Sequence, residues 1–391
     1  MARSIIRPPR LRTTETATEH RSATWLELFY DLVFVVAVAA LGHRLLVNVS
    51  WTGFLSFVGL FIPLWWAWAG FTFYADRYDT DDLGQRVLAV AQMVAIALMA
   101  VSISGDVADS TAAFALAYVG SRSILILMYL RARRHVPETR DLVTGYIKGF
   151  GAGAGFWLAS ILVPPPGRFV LWGVGLTISF ATPYLVRKLQ AKAPLSESHL
   201  PERFGLFTIL VLGESIAAVV AGLSHEDWEL RPTLAAVLGV LIATGLWWLY
   251  FDALDGSVVR RRRDQSRTWR PTVWIYSHLP LVIALITTGI GLEFVVSEAG
   301  GAAFPVAERW LLAGGVAASL LAMGVIQLSS EGADPARRYR HEAQRRFAGA
   351  GAALLLGLAG GWLPGLLLAV FLAALCAAEV GADVLAGVRV P

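Results

Sequence analysis

The chain has one cysteine, Cys376, among its 391 residues. A single cysteine excludes an internal disulfide framework and a metal site built from several thiolates. We expect Cys376 to be a small core residue, because it lies in an apolar stretch near the end of the chain. Charged residues are scarce as well, at 16% against 56% hydrophobic residues. This balance excludes an ordinary soluble globular protein and favours a membrane protein.

Twelve apolar stretches are each long enough to cross a bilayer, for which a helix needs about 20 residues. The sequence therefore predicts an all-α fold, a polytopic bundle of about twelve transmembrane helices. Between the last two stretches, Gly360 to Pro364 predicts a tight turn or a kink. The predicted spans are 24–45, 52–74, 87–105, 111–130, 144–163, 168–187, 204–223, 233–254, 273–294, 307–328, 347–363 and 365–386.

The net charge of +4 is spread unevenly over the loops. Counted from a cytoplasmic N-terminus, the outer loops hold only Arg44, Arg168, Arg231 and Arg309, and the inner segments hold nearly all other basic residues. The positive-inside rule then predicts that both termini are cytoplasmic. The run Arg260–Arg263 is typical of a loop beside anionic lipid, so the expected partner is the lipid bilayer and not nucleic acid.

Four segments follow from this topology. Residues 1–23 carry five arginines, which predicts a disordered basic cytoplasmic arm and not a cleaved signal peptide. Residues 24–187 form a first transmembrane half of six helices, 188–203 a cytoplasmic linker, and 204–388 a second half of six helices. Each half has a Trp-Trp pair followed by aspartate. The halves are therefore either two six-helix repeats of the same orientation or alike only by coincidence.

Glu27 and Asp31 place two carboxylates inside an otherwise apolar predicted helix. They are four residues apart, so they share one helix face and repel each other. Buried acids need a proton, a cation or a basic partner, and Arg122, alone within the fourth span, is a candidate partner. Alternatively, Glu27 extends to the cytoplasmic surface and Asp31 pairs with an arginine of a neighbouring helix.

Several sequence segments carry a family resemblance. They are Arg21-Ser-Ala-Thr-Trp-Leu-Glu-Leu-Phe-Tyr-Asp31-Leu-Val-Phe-Val, Arg77-Tyr-Asp-Thr-Asp-Asp82, the segment from Glu202-Arg203-Phe to Gly213-Glu-Ser-Ile216, and Tyr276-Ser-His-Leu-Pro280. In this order they resemble the bacterial low temperature requirement A (LtrA) family. The resemblance implies a multi-pass protein of the bacterial inner membrane, without a mechanism to transfer. Asp76 departs from the pattern, in which Asn is expected.

Asp79, Asp81 and Asp82 form an acidic tetrapeptide with Thr80 just after the second span. Three carboxylates in four residues could raise the pKa of one of them, or could hold a divalent cation such as Mg²⁺ through Asp79 and Asp82. The spelling DxDD is also that of protonation-initiated terpene cyclases, in which the middle aspartate, here Asp81, donates the proton. Those cyclases are soluble proteins, and the likeness is limited to these four residues. The alternative is a solvated loop that caps the third span.

Further ionisable and aromatic residues join these acids as candidates for substrate binding. Glu214 lies near the middle of the seventh span, where it could also make a structural hydrogen bond to Arg122 or His278. A single buried histidine such as His278 is more often a satisfied core residue than a ligand. The candidate substrate-binding residues are Glu27, Asp31, Arg77, Arg122, Glu202, Arg203, Glu214, His278, Trp65, Trp66, Trp247 and Trp248.

Nearly all of these groups map to the cytoplasmic half of the predicted bundle, which indicates an acidic, aromatic-walled cavity open to the cytoplasm. One hypothesis is a membrane-embedded enzyme that acts on a lipid-like, isoprenoid substrate, as a terpene cyclase does, with the aspartates as catalytic acids and aromatic faces that stabilise cations. The other is a secondary transporter that couples to protons or cations through the intramembrane carboxylates. Apart from Mg²⁺, the sequence indicates no cofactor.

Overall fold

The computed structural model describes residues 7–12, 23–79, 82–104, 107–196, 199–224, 229–253, 269–298, 303–330 and 336–388. Within these ranges the chain folds into twelve α-helices, which confirms the predicted all-α class. They are α1 (Trp25–Val47), α2 (Trp51–Arg77), α3 (Leu83–Ser104), α4 (Val107–His135), α5 (Arg140–Ser160), α6 (Gly167–Leu185), α7 (His199–Ser224), α8 (Leu230–Ala253), α9 (Arg270–Ser297), α10 (Val306–Ser330), α11 (Ala336–Ala359) and α12 (Gly365–Val388).

Nine helices in the described part of the chain are long and apolar enough to cross a membrane. The protein is therefore multi-pass. However, α5, α6 and α11 are not among these nine helices, so twelve is the number of helices and not of confirmed spans. Polar residues explain the shortfall: α5 contains Lys148, α6 has only 19 residues and includes Arg168, and α11 opens with a charged turn. A 3₁₀ turn at Gly360–Trp362 separates α11 from α12, as the sequence predicted.

The chain divides into two compact units. The first unit comprises Met1–Arg44 and Gly59–Arg203, and the second comprises Leu45–Val58 and Phe204–Pro391. Residues 45–58 thus group with the second unit, although the sequence places them in the first half. The segment 188–203, which the sequence presents as a linker, contains a 3₁₀ turn at Leu189–Lys192 and the first residues of α7.

In the first unit, α3, α4, α5 and α6 pack in chain order, each against the next. Small residues bring α5 and α6 together: a Cβ added at Gly149 would lie 2.0 Å from the Thr182 hydroxyl, and one at Gly153 would lie 2.3 Å from the Ser179 hydroxyl. Such close contacts are typical of helix packing in membranes. The unit also buries large aromatic side chains. Among the largest fully buried side chains of the described residues, all but Arg346 belong to it.

In the second unit, α9 packs on α10, α10 on α11, and α8 on α12. Cys376 of α12 is buried against Gly245 of α8, where a Cβ would lie 2.8 Å from the cysteine Cβ. The described part of α11 and α12 also contains a buried ion cluster. Arg346 donates to both Glu379 and Asp383, and Arg345 donates to Asp383 at 2.6 Å.

Residues 7–12 of the expected disordered arm are placed against the first unit. Strand β1 (Arg10–Leu11) pairs antiparallel with β2 (Tyr78–Asp79). The Arg12 amide donates to the carbonyl of Arg77 at 3.0 Å, and the Arg7 amide donates to the Asp82 carboxylate at 3.0 Å. This short stretch of the arm therefore extends across the end of α2, which a composition-based expectation of disorder does not anticipate.

Candidate functional site

The start of α1 is fixed by a reciprocal cap between Thr24 and Glu27. The Thr24 amide and hydroxyl donate to the Glu27 carboxylate at 2.7 and 2.9 Å, and the Glu27 amide donates to the Thr24 hydroxyl at 3.3 Å. This is a capping box, in which the residue three positions into the helix bonds back to the cap residue. Glu27 is 3% exposed, so its side chain is held in the protein interior and does not extend to the protein surface.

Asp31, one turn further along α1, is completely buried. Its Oδ1 atom accepts from the Trp68 indole at 2.8 Å and from the Arg203 guanidinium at 2.7 Å. Its Oδ2 atom has no hydrogen-bond partner among the described residues. The arginine that pairs with Asp31 is thus Arg203 of α7 and not Arg122. One carboxyl oxygen is anchored by a cation and an indole, and the other is free to hold a proton or meet a ligand.

His199, the first residue of α7, lies between two carboxylates. Its Nδ1 atom is 3.0 Å from Asp76 and its Nε2 atom is 3.3 Å from Glu27. Asp76 also accepts from the Ser196 amide at 2.7 Å. The side chains of Glu27, Asp76 and His199 are at most 4% exposed. An imidazole with an acid at each nitrogen has the arrangement that proton transfer from one side to the other requires. We call Glu27, Asp76 and His199 the histidine cluster.

Two further predicted residues, Arg77 and Glu202, mainly bond to backbone groups near the histidine cluster. Arg77 donates from Nε to the carbonyl of Ala193 at 3.1 Å, and its guanidinium lies 5.7 Å from the ring centre of Tyr146. Glu202 accepts from the amide of Ala23 at 3.1 Å. The segment before α1 is therefore tied to Glu202 of α7, and the segment before α7 is tied to Arg77 of α2.

The acidic tetrapeptide is only partly described. Asp82 is the N-cap of α3, since it accepts from the Gln85 amide at 3.0 Å, and it also pairs with Arg131 at 2.6 Å. Burial opposes ionisation of Asp82, but hydrogen bonds from Arg131, Arg7 and Gln85 outweigh it and hold the pKa of this carboxyl below its ordinary value. Asp82 therefore caps the third helix, as the alternative to a catalytic or metal-binding role proposed.

The predicted Mg²⁺ site depends on the other residues of the tetrapeptide, which the structure describes only in part. The backbone of Asp79 belongs to β2, whereas its side chain, Thr80 and Asp81 lie outside the described residues. In the described part of the chain, no group of three or more His, Cys, Asp or Glu side chains could hold a metal ion. Asp82 itself is occupied by Arg131 and by backbone amides. The proposed Mg²⁺ ligation by Asp79 and Asp82 therefore gains no support from the described contacts.

Arg122, near the middle of α4, is 1% exposed and surrounded by aromatic rings. Its guanidinium carbon lies 5.0 Å from the ring centre of Tyr118 and 5.9 Å from those of Trp66 and Phe150. We call these three residues the aromatic cage. None of the guanidinium nitrogens has a hydrogen-bond partner among the described residues. Trp65, the other predicted tryptophan of this pair, is also fully buried and lies beside Trp66.

The remaining predicted residues belong to the second unit. His278 has its Nδ1 atom 2.7 Å from the carbonyl of Trp274 and its Nε2 atom 3.0 Å from the Tyr250 hydroxyl, which fits a satisfied core histidine. Glu214 is half-buried. Trp247 and Trp248 are 41% and 40% exposed, unlike the buried pair of α2.

Sequence reasoning missed His199, and it missed the bond between Trp68 and Asp31. His199 was assigned to a linker, although it lies four residues before Arg203 and three before Glu202, on one face of any helix that continues through them. Extending α7 by one turn would have placed the histidine beside the arginine. Trp68 lies three residues after Trp65, and its link to Asp31 depends on how α1 packs against α2.

Comparison with known proteins agrees with this description of a helical membrane protein. The profile of the family described as Bacterial low temperature requirement A protein (LtrA) matches residues 22–382. An uncharacterized protein of Rhizobium meliloti (strain 1021) is 30% identical over 295 residues, which cover 72% of this chain and 71% of that protein. The family profile thus covers the chain from just before the capping box into the last third of α12. The chain is therefore a member of the LtrA family of integral membrane proteins.

Proposed function

We propose that this protein is a membrane-embedded enzyme that uses a buried carboxylic acid on a lipid-like, isoprenoid substrate. The observation that carries the proposal is the unequal hydrogen bonding of the two carboxyl oxygens of Asp31. Its Oδ1 atom is anchored by Trp68 and Arg203, whereas its completely buried Oδ2 atom has no partner among the described residues. A general acid needs this combination of a fixed carboxyl group and a free oxygen that can present a proton.

The surroundings of Asp31 suit the protonation of an alkene. The proton would leave Oδ2 and form a C–H bond with the electron pair of the double bond, which leaves a carbocation on the substrate and a carboxylate on Asp31. Arg203 and Trp68 stabilise that carboxylate. Tyr30 stacks on Phe71 with ring centres 4.1 Å apart, and such aromatic faces stabilise cations. Return of a neighbouring substrate proton to Asp31 would complete an isomerisation. Asp81 remains a second candidate for the donor.

A second candidate function is proton-coupled transport. The observation that favours it is the imidazole of His199 between the carboxylates of Glu27 and Asp76. Three buried groups that exchange a proton are what a coupled transporter needs within the membrane. In this case the Asp31–Arg203 pair would open and close as the proton moves.

Purified protein in detergent separates the two functions, because no gradient exists there. We expect conversion of at least one member of a panel of polyprenols and polyprenyl diphosphates, detected as new products by mass spectrometry, and its loss in Asp31→Asn. Asp252→Asn is a matched control, since Asp252 also accepts from an indole, that of Trp248 at 2.8 Å, but at an exposed position. No product from the panel, together with proton-driven uptake into proteoliposomes, would replace the enzyme by the transporter.

We also propose that the protein lies in the bacterial inner membrane with both termini in the cytoplasm. The distribution of arginines supports this orientation. A reporter that is active only in the periplasm should give signal when it is fused after residues 222–232 and none when it is fused after residue 270. The reverse result would place the charged ends of α1, α2 and α7 on the opposite side. The organisation as two six-helix repeats likewise stays a proposal.

A further inference from the structure

Arg122 is a fully buried cation whose neighbours in the first unit are aromatic. An unpaired charge deep in a protein is costly, and a native arginine at such a depth is ordinarily paired with a carboxylate or hydrogen-bonded to several oxygens. The aromatic cage supplies cation–π contacts, but a ring cannot accept the planar set of hydrogen bonds that a guanidinium donates. Among the described residues, therefore, no oxygen atom accepts a hydrogen bond from the Arg122 guanidinium.

One group beside Arg122 shares this property. The Tyr118 hydroxyl is close enough to the guanidinium for a weak interaction, but it has no hydrogen-bond partner of good geometry among the described residues. Both groups can donate hydrogen bonds, and Arg122 can only donate. Such a pair of donors is complementary to a group that is rich in acceptors.

The position of the Arg122 guanidinium depends on a glycine of α2. A Cβ added at Gly70 would lie 2.9 Å from Nη1 of Arg122 and 2.8 Å from a methyl group of Leu125. Only glycine thus leaves the guanidinium in its present position. The rings of the cage are themselves held by stacking: Trp66 stacks on Phe180 at 4.2 Å between ring centres, and Phe150 stacks on Tyr146 at 5.5 Å.

We propose that Arg122, with Tyr118, binds the oxyanion head, a phosphate or a carboxylate, of an amphiphilic ligand whose apolar part lies against the aromatic cage. Arginine suits this ligand because its fork of N–H groups bonds two oxygens of one head at once. The inference rests on the proposed function in one respect, that the ligand is the substrate. The binding site itself does not require turnover.

The test measures binding to purified full-length protein in dodecyl maltoside by calorimetry. The probes are farnesyl diphosphate, dodecanoate, farnesol and inorganic diphosphate. We expect farnesyl diphosphate or dodecanoate to bind, and Arg122→Gln to weaken that binding about 10- to 100-fold, as is usual when a charged hydrogen bond is lost. Arg122→Lys should weaken it less. Arg187→Gln is the matched control, because Arg187 lies 4.2 Å from the ring centre of Tyr184 but is exposed.

Thermal stability distinguishes a ligand site from a structural role. Without ligand, Arg122→Gln should melt at the same temperature as the unmodified protein or higher, because it removes an unpaired buried charge. It should also lose the rise in melting temperature that the ligand gives. A lower melting temperature of ligand-free Arg122→Gln would assign Arg122 a structural role and overturn the proposal.

Three other outcomes would contradict it: equal affinity for farnesol and farnesyl diphosphate, unchanged affinity in Arg122→Gln, or equally tight binding of inorganic diphosphate, which would exclude an amphiphile. Binding and turnover of the unmodified protein separate this inference from the proposed enzyme. Arg122-dependent binding of farnesyl diphosphate without turnover would contradict only the enzyme.

Discussion

Two buried arginines, one in each unit, have opposite surroundings. Arg346 of α11 donates to Glu379 and Asp383 of α12, so its charge is balanced by neighbours in its own unit. Arg122 of α4 is equally buried, but aromatic rings surround it and no described oxygen accepts from it. A paired buried ion joins two helices. An unpaired one weakens the fold, and such a cost is typical of residues retained for binding or catalysis.

The same contrast holds for the two buried histidines. His278 lies between a carbonyl and a tyrosine hydroxyl, both neutral, whereas His199 lies between two carboxylates. The charged, exchangeable contacts thus concentrate at one end of α1, α2 and α7 in the first unit. The second unit has buried polar residues as well, among them His278 and the ion cluster of Arg346.

Substitution of Arg346 should have the largest effect on stability. Arg346→Gln leaves Glu379 and Asp383 with an excess of buried negative charge, so we expect a loss of about 3–5 kcal/mol in the free energy of unfolding. Arg122→Gln should cause no such loss. Thermal or denaturant unfolding of the two variants in the same detergent checks the comparison, which fails if both lose stability equally.

Replacement of His199 should have the next largest effect. His199→Leu leaves Glu27 and Asp76 facing a hydrocarbon side chain, and each loses a hydrogen-bond partner, which should cost about 1–3 kcal/mol. It should also abolish any proton-coupled activity. His278→Leu is the control: it loses bonds only to neutral groups and should keep activity. Stability measured with unfolding and activity measured with the purified protein check both statements, and activity in His199→Leu would contradict the proton-exchange role.

Gly70→Ala should alter ligand binding more than folding. The new methyl group displaces the ends of two flexible side chains, Arg122 and Leu125, and such overpacking typically costs about 1–3 kcal/mol. Gly59→Ala on the same helix is the control, because no atom lies within 4 Å of its added Cβ, and alanine there should stabilise the helix slightly, by about 0.5–1 kcal/mol. Calorimetry with farnesyl diphosphate should show weaker binding for Gly70→Ala alone.

The smallest effect is expected at Asp82. Loss of an N-cap aspartate costs about 1 kcal/mol, so Asp82→Asn, which keeps the capping oxygen but loses the ion pair with Arg131, should cost less. The pKa of Asp82 lies below its ordinary value of 3.8. Its contribution to stability is therefore complete above that value and is lost as the pH falls through the lower, folded-state pKa. Melting temperatures measured from pH 6 to pH 3 should come closer together for the two proteins toward the acidic end.

Much of this architecture is predictable from the sequence, because it depends on local patterns. Long apolar stretches give the helices, and the spelling Thr24-x-x-Glu27 is that of the cap that the structure contains. The partners of Asp31 are less accessible to such reasoning. Arg122 and Arg203 are both buried arginines, and only the packing of α1 and α7 selects Arg203, which is 172 residues away in sequence. Asp81, on which the cyclase hypothesis rests, lies outside the described residues.

The position of Arg122 also has a consequence for biogenesis. An arginine at the centre of a helix opposes insertion into the bilayer by about 2.5–3.5 kcal/mol on insertion scales, and α4 carries one within the span Ser110–His135. During synthesis Trp66 of α2 precedes α4 and Phe150 of α5 follows it. A nascent α4 therefore gains the last wall of its cage only once α5 has emerged from the ribosome. We expect α4 to enter the membrane together with α5, and truncation after His135 to leave α4 poorly inserted.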